Sequence, residues 1–208
     1  MTRQLFILTL LLASTVLPDY GQTCTHSELS KTYNFVTTIK KIKTIGELDS
    51  SAVVIKVKDK INSKTVCTIR FSTRFLFDSS YIHCGNARSY TTEINRNMQV
   101  LDWDYGDIIV ADFNFDDRED FAIKKAEGGN GGPVYDYYIQ NSDSTFIIDK
   151  FLSNTLSCFP NHFNKTKKTL TTICRATTIT VTETVYRCDS LTGKWSMISN
   201  RYIDIRNK

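Results

Sequence analysis

Histidine is scarce in this chain. His26, His83 and His162 are its only three, and none stands at a metal-ligand spacing such as H-E-x-x-H. Isolated histidines of this kind read as surface or hydrogen-bonded residues, which leaves zinc hydrolysis without support. The six cysteines contain no C-x-x-C pair, so zinc-ribbon and thioredoxin-like readings fail as well. No G-x-S-x-G elbow occurs for a serine nucleophile. Helical periodicity is nearly missing, apart from a short turn around residues 150–156. Beyond residue 17 there is no second long apolar run, so no transmembrane anchor is expected after signal removal.

What is present begins with an export signal. Arg3 precedes the apolar run Leu5–Leu17, and Pro18 and small or polar residues follow. This reads as a signal peptide over residues 1–21, cleaved near Gly21–Gln22, and a single secreted or periplasmic domain over 22–208. Cys24 lacks the lipobox that would mark it for lipidation. Cys24, Cys67, Cys84, Cys158, Cys174 and Cys188 all lie beyond the signal, and two or three structural disulfides are the expectation for an exported protein. Fifteen pairings are open; Cys174–Cys188 and Cys67–Cys84 are favoured because each pair brackets segments that could lie on neighbouring strands. The net charge is +4, with short basic clusters at 39–43 and 164–168. Neither interleaves aromatics, so they read as solvated faces and no nucleic-acid partner is expected.

Strand signals fill the rest. Residues 51–59 alternate Val53, Ile55 and Val57 with more polar positions, and residues 64–77 and 177–188 are rich in β-branched and aromatic side chains. Residues 136–148 read as two strands joined at Asn141–Ser142–Asp143, and Thr192–Gly193 as a turn into a strand bearing Trp195. The predicted fold is all-β, with antiparallel sheets arranged as a sandwich or as propeller-like blades. Glycines crowd Glu127–Pro133, but no Lys-Ser/Thr pair or helix follows, so this is a loop rather than a phosphate cradle.

The stretch "DFNFDDRED" (Asp112–Asp120) carries five carboxylates in nine residues. Counting from Asp112, side-chain oxygens fall at positions 1, 3, 5 and 9, on Asp112, Asn114, Asp116 and Asp120. The carbonyl of Arg118 falls at position 7. Such a set of hard oxygens suits Ca²⁺. An EF-hand is excluded, because its glycine position holds Asp117 and its glutamate position Ile123. The flanks are strand-like, which predicts a strand–loop–strand site anchored by Phe113, Phe115, Phe121 and Ile123.

"DIIVADFNFDDREDFAI" resembles the D-x-N-x-D-G-x-x-D calcium loop of integrin-type (FG-GAP-like) repeats. With "GGNGGP", "VYDYYI", "STFIIDKFLSN" and "KTKKTLTT", residues 101–200 resemble small exported bacterial proteins with one such loop. Some of those are periplasmic inhibitor or immunity proteins against lysozyme-like enzymes. The resemblance implies an all-β fold, bound Ca²⁺ and a protein partner, such as a peptidoglycan hydrolase. Asp117 stands where that family has glycine. Tyr135, Tyr137 and Tyr138, beside the glycine loop, are the candidate partner-binding residues. A non-enzymatic interaction domain is therefore the leading reading. The alternatives are an envelope hydrolase using carboxylates such as Glu47, Glu93 or Asp102, and a structural or adhesive envelope domain.

Overall fold

The computed structural model describes residues 21–42, 49–129, 132–189 and 192–206. The signal segment and Glu47 therefore lie outside the described residues.

Alternation builds the first sheet. In Tyr33–Ile42 (β2) and Ser50–Asp59 (β3) buried positions recur at every second residue over most of each strand, the period of a sheet with one face inward. Gln22–His26 (β1) and Thr65–Thr73 (β4) flank them in an antiparallel order β1-β2-β3-β4. Phe35, Ile39, Val53, Ile55, Val57 and Ile69 turn inward.

The middle sheet consists of Ala87–Ser89 (β5), Ile108–Ala111 (β6), Asp120–Ala126 (β7), Val134–Gln140 (β8) and Phe146–Ile148 (β9). β5 and β6 are parallel and the other pairs antiparallel. Every residue of β6 is buried, because this sheet is covered on both faces. Ile108, Val110, Phe121 and Ile123 pack into a core shared with the first sheet. Ile109, Ala111, Ala122, Tyr135, Tyr137 and Ile139 pack into a second core on the other side.

A third sheet closes that second core: His162–Asn164 (β10), Thr169–Arg175 (β11), Thr180–Cys188 (β12) and Trp195–Asp204 (β13), an antiparallel meander. Phe159 sits wholly buried at its centre, within 4.6 Å of the Tyr105 ring centroid and 5.3 Å of that of Tyr135. One short helix, Lys150–Thr155 (α1), starts at Asp149, whose carboxylate accepts the Leu152 N–H. The all-β expectation holds, realised as three stacked sheets. Among the described residues no helix is long and apolar enough to cross a membrane.

The favoured disulfides are corrected. The bonded pairs are Cys24–Cys84 and Cys158–Cys174, and Cys67 and Cys188 are free. Cys174 lies opposite Thr182, six residues along β12 from Cys188, which is roughly 20 Å at 3.3 Å per residue. Cys67 lies on β4, whereas Cys84 meets Cys24 on β1, the opposite edge of the same sheet. Neighbouring strands are not sufficient for a bond; the two residues must also share a register position.

Candidate metal centre

The loop 112–119 joins β6 to β7 at the point where Ala111 pairs with Asp120. Phe113, Phe115, Phe121 and Ile123 are all buried, as the sequence predicts for anchors. Phe113 and Phe115 enter the second core, Phe121 and Ile123 the first. The loop is thus pinned to both cores of the stack.

Its oxygens hold the curl from inside. Asp112 accepts the Asp116 and Asp117 N–H groups at 2.9 and 3.0 Å. The Asn114 side-chain oxygen accepts Asp116 N–H at 3.2 Å, and the Asn114 amide donates to Asp116 at 2.7 Å. Asp116 in turn accepts Arg118 N–H at 3.0 Å. Phe115 and Asp117 adopt left-handed backbone, with φ of 62° and 68°. At Asp117 this is the conformation the resembling family meets with glycine, and aspartate adopts it at modest cost.

Asp120 is the decisive side chain. It is fully buried, and its carboxylate accepts N–H groups from Phe113 at 2.8 Å and Gln140 at 2.9 Å. Burial, with the neighbouring Asp116 and Asp112 carboxylates adding to it, overcomes those hydrogen bonds and pushes its pKa up to about 8. Asp112 is likewise held above the usual carboxylate range by burial. The Arg118 guanidinium pairs with Asp116, and Lys165 pairs with the outward-pointing Asp117. No cation pairs with Asp120 or Asp112 among the described salt bridges.

In kind, the donors fit a hard cation: one amide oxygen and three carboxylates, among them the buried Asp120 with no cationic partner. Their convergence is weaker, since no three His, Cys, Asp or Glu groups among the described residues form a metal cluster. The side-chain oxygens are instead turned to loop amides. Asp112, Asn114, Asp116 and Asp120 would hold the ion, with the Arg118 carbonyl as the backbone ligand, and the ion would supply the missing positive charge.

Glu119 leaves this group. It reaches across to the β1–β2 turn and to the segment after β5, accepting from Ser30 at 2.6 Å, Lys31 N–H at 2.9 Å and Thr91 at 2.9 Å. Burial acts to raise its pKa, and those donors outweigh it, so the carboxyl is held low.

The protein-family models hold no match to this chain, and no curated protein matches it. Among solved structures the fold has a relative. A structure described as "Structure of a Xanthomonas Type IV Secretion System related protein" matches over 93% of this chain and 87% of that one, with TM-score 0.56 and 16% identity. At that identity the likeness concerns the fold.

The tyrosines expected at a partner surface are corrected. Tyr135 and Tyr137 are buried in the second core, at 3% and 2% exposure. Tyr138 packs against the first, stacked on Phe121. Tyr135 and Tyr137 thus have no outer side to offer, whereas Tyr138 is half-buried. Glu93 is an exposed residue paired with Arg96. Asp102 lines a cleft with Asp104 and Glu127, away from the loop. His26 is partly buried in β1, His83 lies in the connection between β4 and β5, and His162 stands on β10.

Sequence reasoning missed two buried cations. Lys124, 1% exposed, faces Asp104, Asp107 and Glu127. Arg88, also buried, donates to the carbonyls of Tyr105, Arg96 and Met98 at 3.0–3.1 Å. The only sequence sign of the first was a lysine within the apolar alternation of "FAIKKA".

Proposed function

We propose that the protein is a secreted or periplasmic interaction domain, stabilised by Ca²⁺ bound in the loop 112–120, whose partner is a peptidoglycan-degrading enzyme that it inhibits. The observation that carries the calcium reading is Asp120, a buried carboxylate beside two others and without a cation of its own. Two disulfides support an oxidising compartment outside the cytoplasm. The inhibitor reading rests on the resemblance carried by the loop and the segments that follow it.

An ion that binds the folded chain alone stabilises it by RT ln(1 + [L]/Kd), about 2.7 kcal/mol at a hundredfold excess over Kd. For a chain of this size that corresponds to roughly 5–11 °C in Tm. Thermal melts in calcium and in chelator measure it. Asp112→Ala should remove most of the gain, and Asp117→Gly should keep it or increase it slightly by relieving the left-handed strain. Equal melting temperatures in calcium and chelator would defeat the calcium reading.

A hydrolase is the second reading, favoured by the carboxylates Asp102, Asp104 and Glu127 at one cleft. Against it, Asp104 is tied to Lys124 at 2.6 Å and Glu127 accepts from Ser80 at 2.6 Å. Turbidity of a peptidoglycan suspension separates the two. Clearing by the protein alone marks a hydrolase; dose-dependent suppression of lysozyme-driven clearing marks an inhibitor.

A further inference from the structure

The cleft beside Asp102 has a volume of about 720 Å³ and lies between the 98–104 loop, Gly128, Gly129 and Gly132 from the β7–β8 connection, and the end of β11. Phe77, Met98, Leu101 and Trp103 form apolar walls. Phe77 and Leu101 are 65% and 63% exposed, and Phe75, whose carbonyl accepts Glu127 N–H, is 69% exposed. Large apolar side chains left in water around one recess mark an interaction surface.

The walls are built with effort. Asp102 and Trp103 both take left-handed backbone, with φ of 48° and 64°. Gly132 (φ +82°) is wedged against Trp103: a Cβ there would lie 2.4 Å from the Trp103 Cβ. Backbone held in such regions persists only where its surroundings enforce it, and it gathers at binding sites. Arg88 ties down both ends of this segment, donating to the Met98 and Tyr105 carbonyls.

Charge selects the occupant. Asp102, Asp104 and Glu127 line the cleft, with Arg175 at its edge. Lys124 lies behind them, 2.6 Å from Asp104, 3.2 Å from Asp107 and 3.4 Å from Glu127. Three lining carboxylates and the buried Asp107 thus stand against Arg175, Lys124 and the Arg88 guanidinium behind the loop, a local surplus of one negative charge on a chain of net charge +4. Low-dielectric walls focus that field into the recess.

We propose that the cleft receives an arginine side chain of a partner protein. Its stem would lie along Met98 and Leu101, its guanidinium plane against Trp103, and its N–H groups toward Asp102, with Glu127 and Asp104, already held by Ser80 and Lys124, adding negative charge behind. A planar, weakly hydrated cation with an apolar stem is the group that satisfies aromatic walls and an acidic floor together. The occupant is a protein on the interaction-domain reading; the arginine slot itself depends neither on calcium nor on the identity of the partner.

Trp103 and Trp195 are the only tryptophans, so Trp195→Phe leaves Trp103 as the sole emitter inside the cleft. Benzamidinium chloride, a planar amidinium on an aromatic ring, is titrated into this variant in chelator. That condition separates the result from the fate of the calcium reading. The expected result is a saturable change in Trp103 emission, weakened at least tenfold by Asp102→Asn with Glu127→Gln and weakened by added NaCl. Neutral benzamide should leave the emission unchanged. Asp102→Asn alone serves if Glu127→Gln loosens the Lys124 cluster, since Asp102 is exposed and asparagine accepts its left-handed backbone. A non-saturating titration, equal responses to benzamide and benzamidinium, or an affinity unaltered by Asp102→Asn would overturn the proposal.

Discussion

Lys124 keeps its charge at 1% exposure because three carboxylates face it. Burial acts to lower its pKa, and Asp107, Asp104 and Glu127 more than reverse that, so the net direction is upward. Lys124→Met removes the cation and leaves those acids buried together, a change that typically costs about 3–5 kcal/mol. Urea denaturation of the variant checks it. His26 is a gentler case: burial alone lowers its pKa from the ordinary histidine value. The unfolded chain therefore takes up the proton first as pH falls. Stability at this group is complete above about pH 6.5 and is lost as pH drops toward the lower folded value. His26→Asn should flatten that part of a stability profile measured between about pH 5 and pH 7. At this scale the curl of the acidic loop was legible from spacing, because oxygen-bearing residues at alternate positions turn inward onto the loop amides. The cations that matter were not. Whether Lys124 meets acids or water is decided by segments far from it in the chain.

Of the first sheet, residues 51–59 were legible because one face is wet and one is dry, which writes a period of two into β3; β2 shows the same period but was read only as a basic cluster at 39–43. The hairpin turn at 141–145 and the turn at Gly193, with φ of +66°, were legible from turn-forming residues. β5 was not: it has three residues, and it pairs in parallel with β6 after a long excursion. The glycine-rich connection between β7 and β8 was legible as a loop but not as the wall of a cleft. Gly132→Ala puts a methyl group into Trp103 and onto a left-handed backbone. A loss of about 1–3 kcal/mol is expected, read as a lower Tm, together with a shift in Trp103 emission. The same substitution at Gly129, where an added Cβ meets nothing within 4 Å, is the control and should change the emission little.

At the scale of the whole molecule, the disulfides do the long-range tying. Cys24–Cys84 spans 60 residues and brings the 74–86 segment from β4 back to β1; Cys158–Cys174 spans 16. Loop-closure entropy assigns about 4 kcal/mol to the first and about 3 kcal/mol to the second. The double variant Cys24→Ser/Cys84→Ser should therefore be the less stable of the two, in guanidinium unfolding without reductant. Alkylation under denaturing, non-reducing conditions followed by mass spectrometry should label Cys67 and Cys188 and spare the other four. Recovery of label on Cys24 or Cys158 instead would contradict the connectivity.

The sequence by itself determined the class of fold, the position of most strands, the acidic loop and the anchors on either side of it. Those are local properties: side-chain alternation, turn chemistry and residue spacing act within a few positions of one another. Only the tertiary structure decided that Tyr135 and Tyr137 are core, that Cys84 reaches Cys24, and that the Glu119 side chain turns to the β1–β2 turn while that of Asp120, on β7, turns back to the loop amides. Each of these depends on which sheet lies against which. Three sheets stacked in sequence bury both faces of the middle one, and with it the residues whose chemistry looked most exposed when read along the chain.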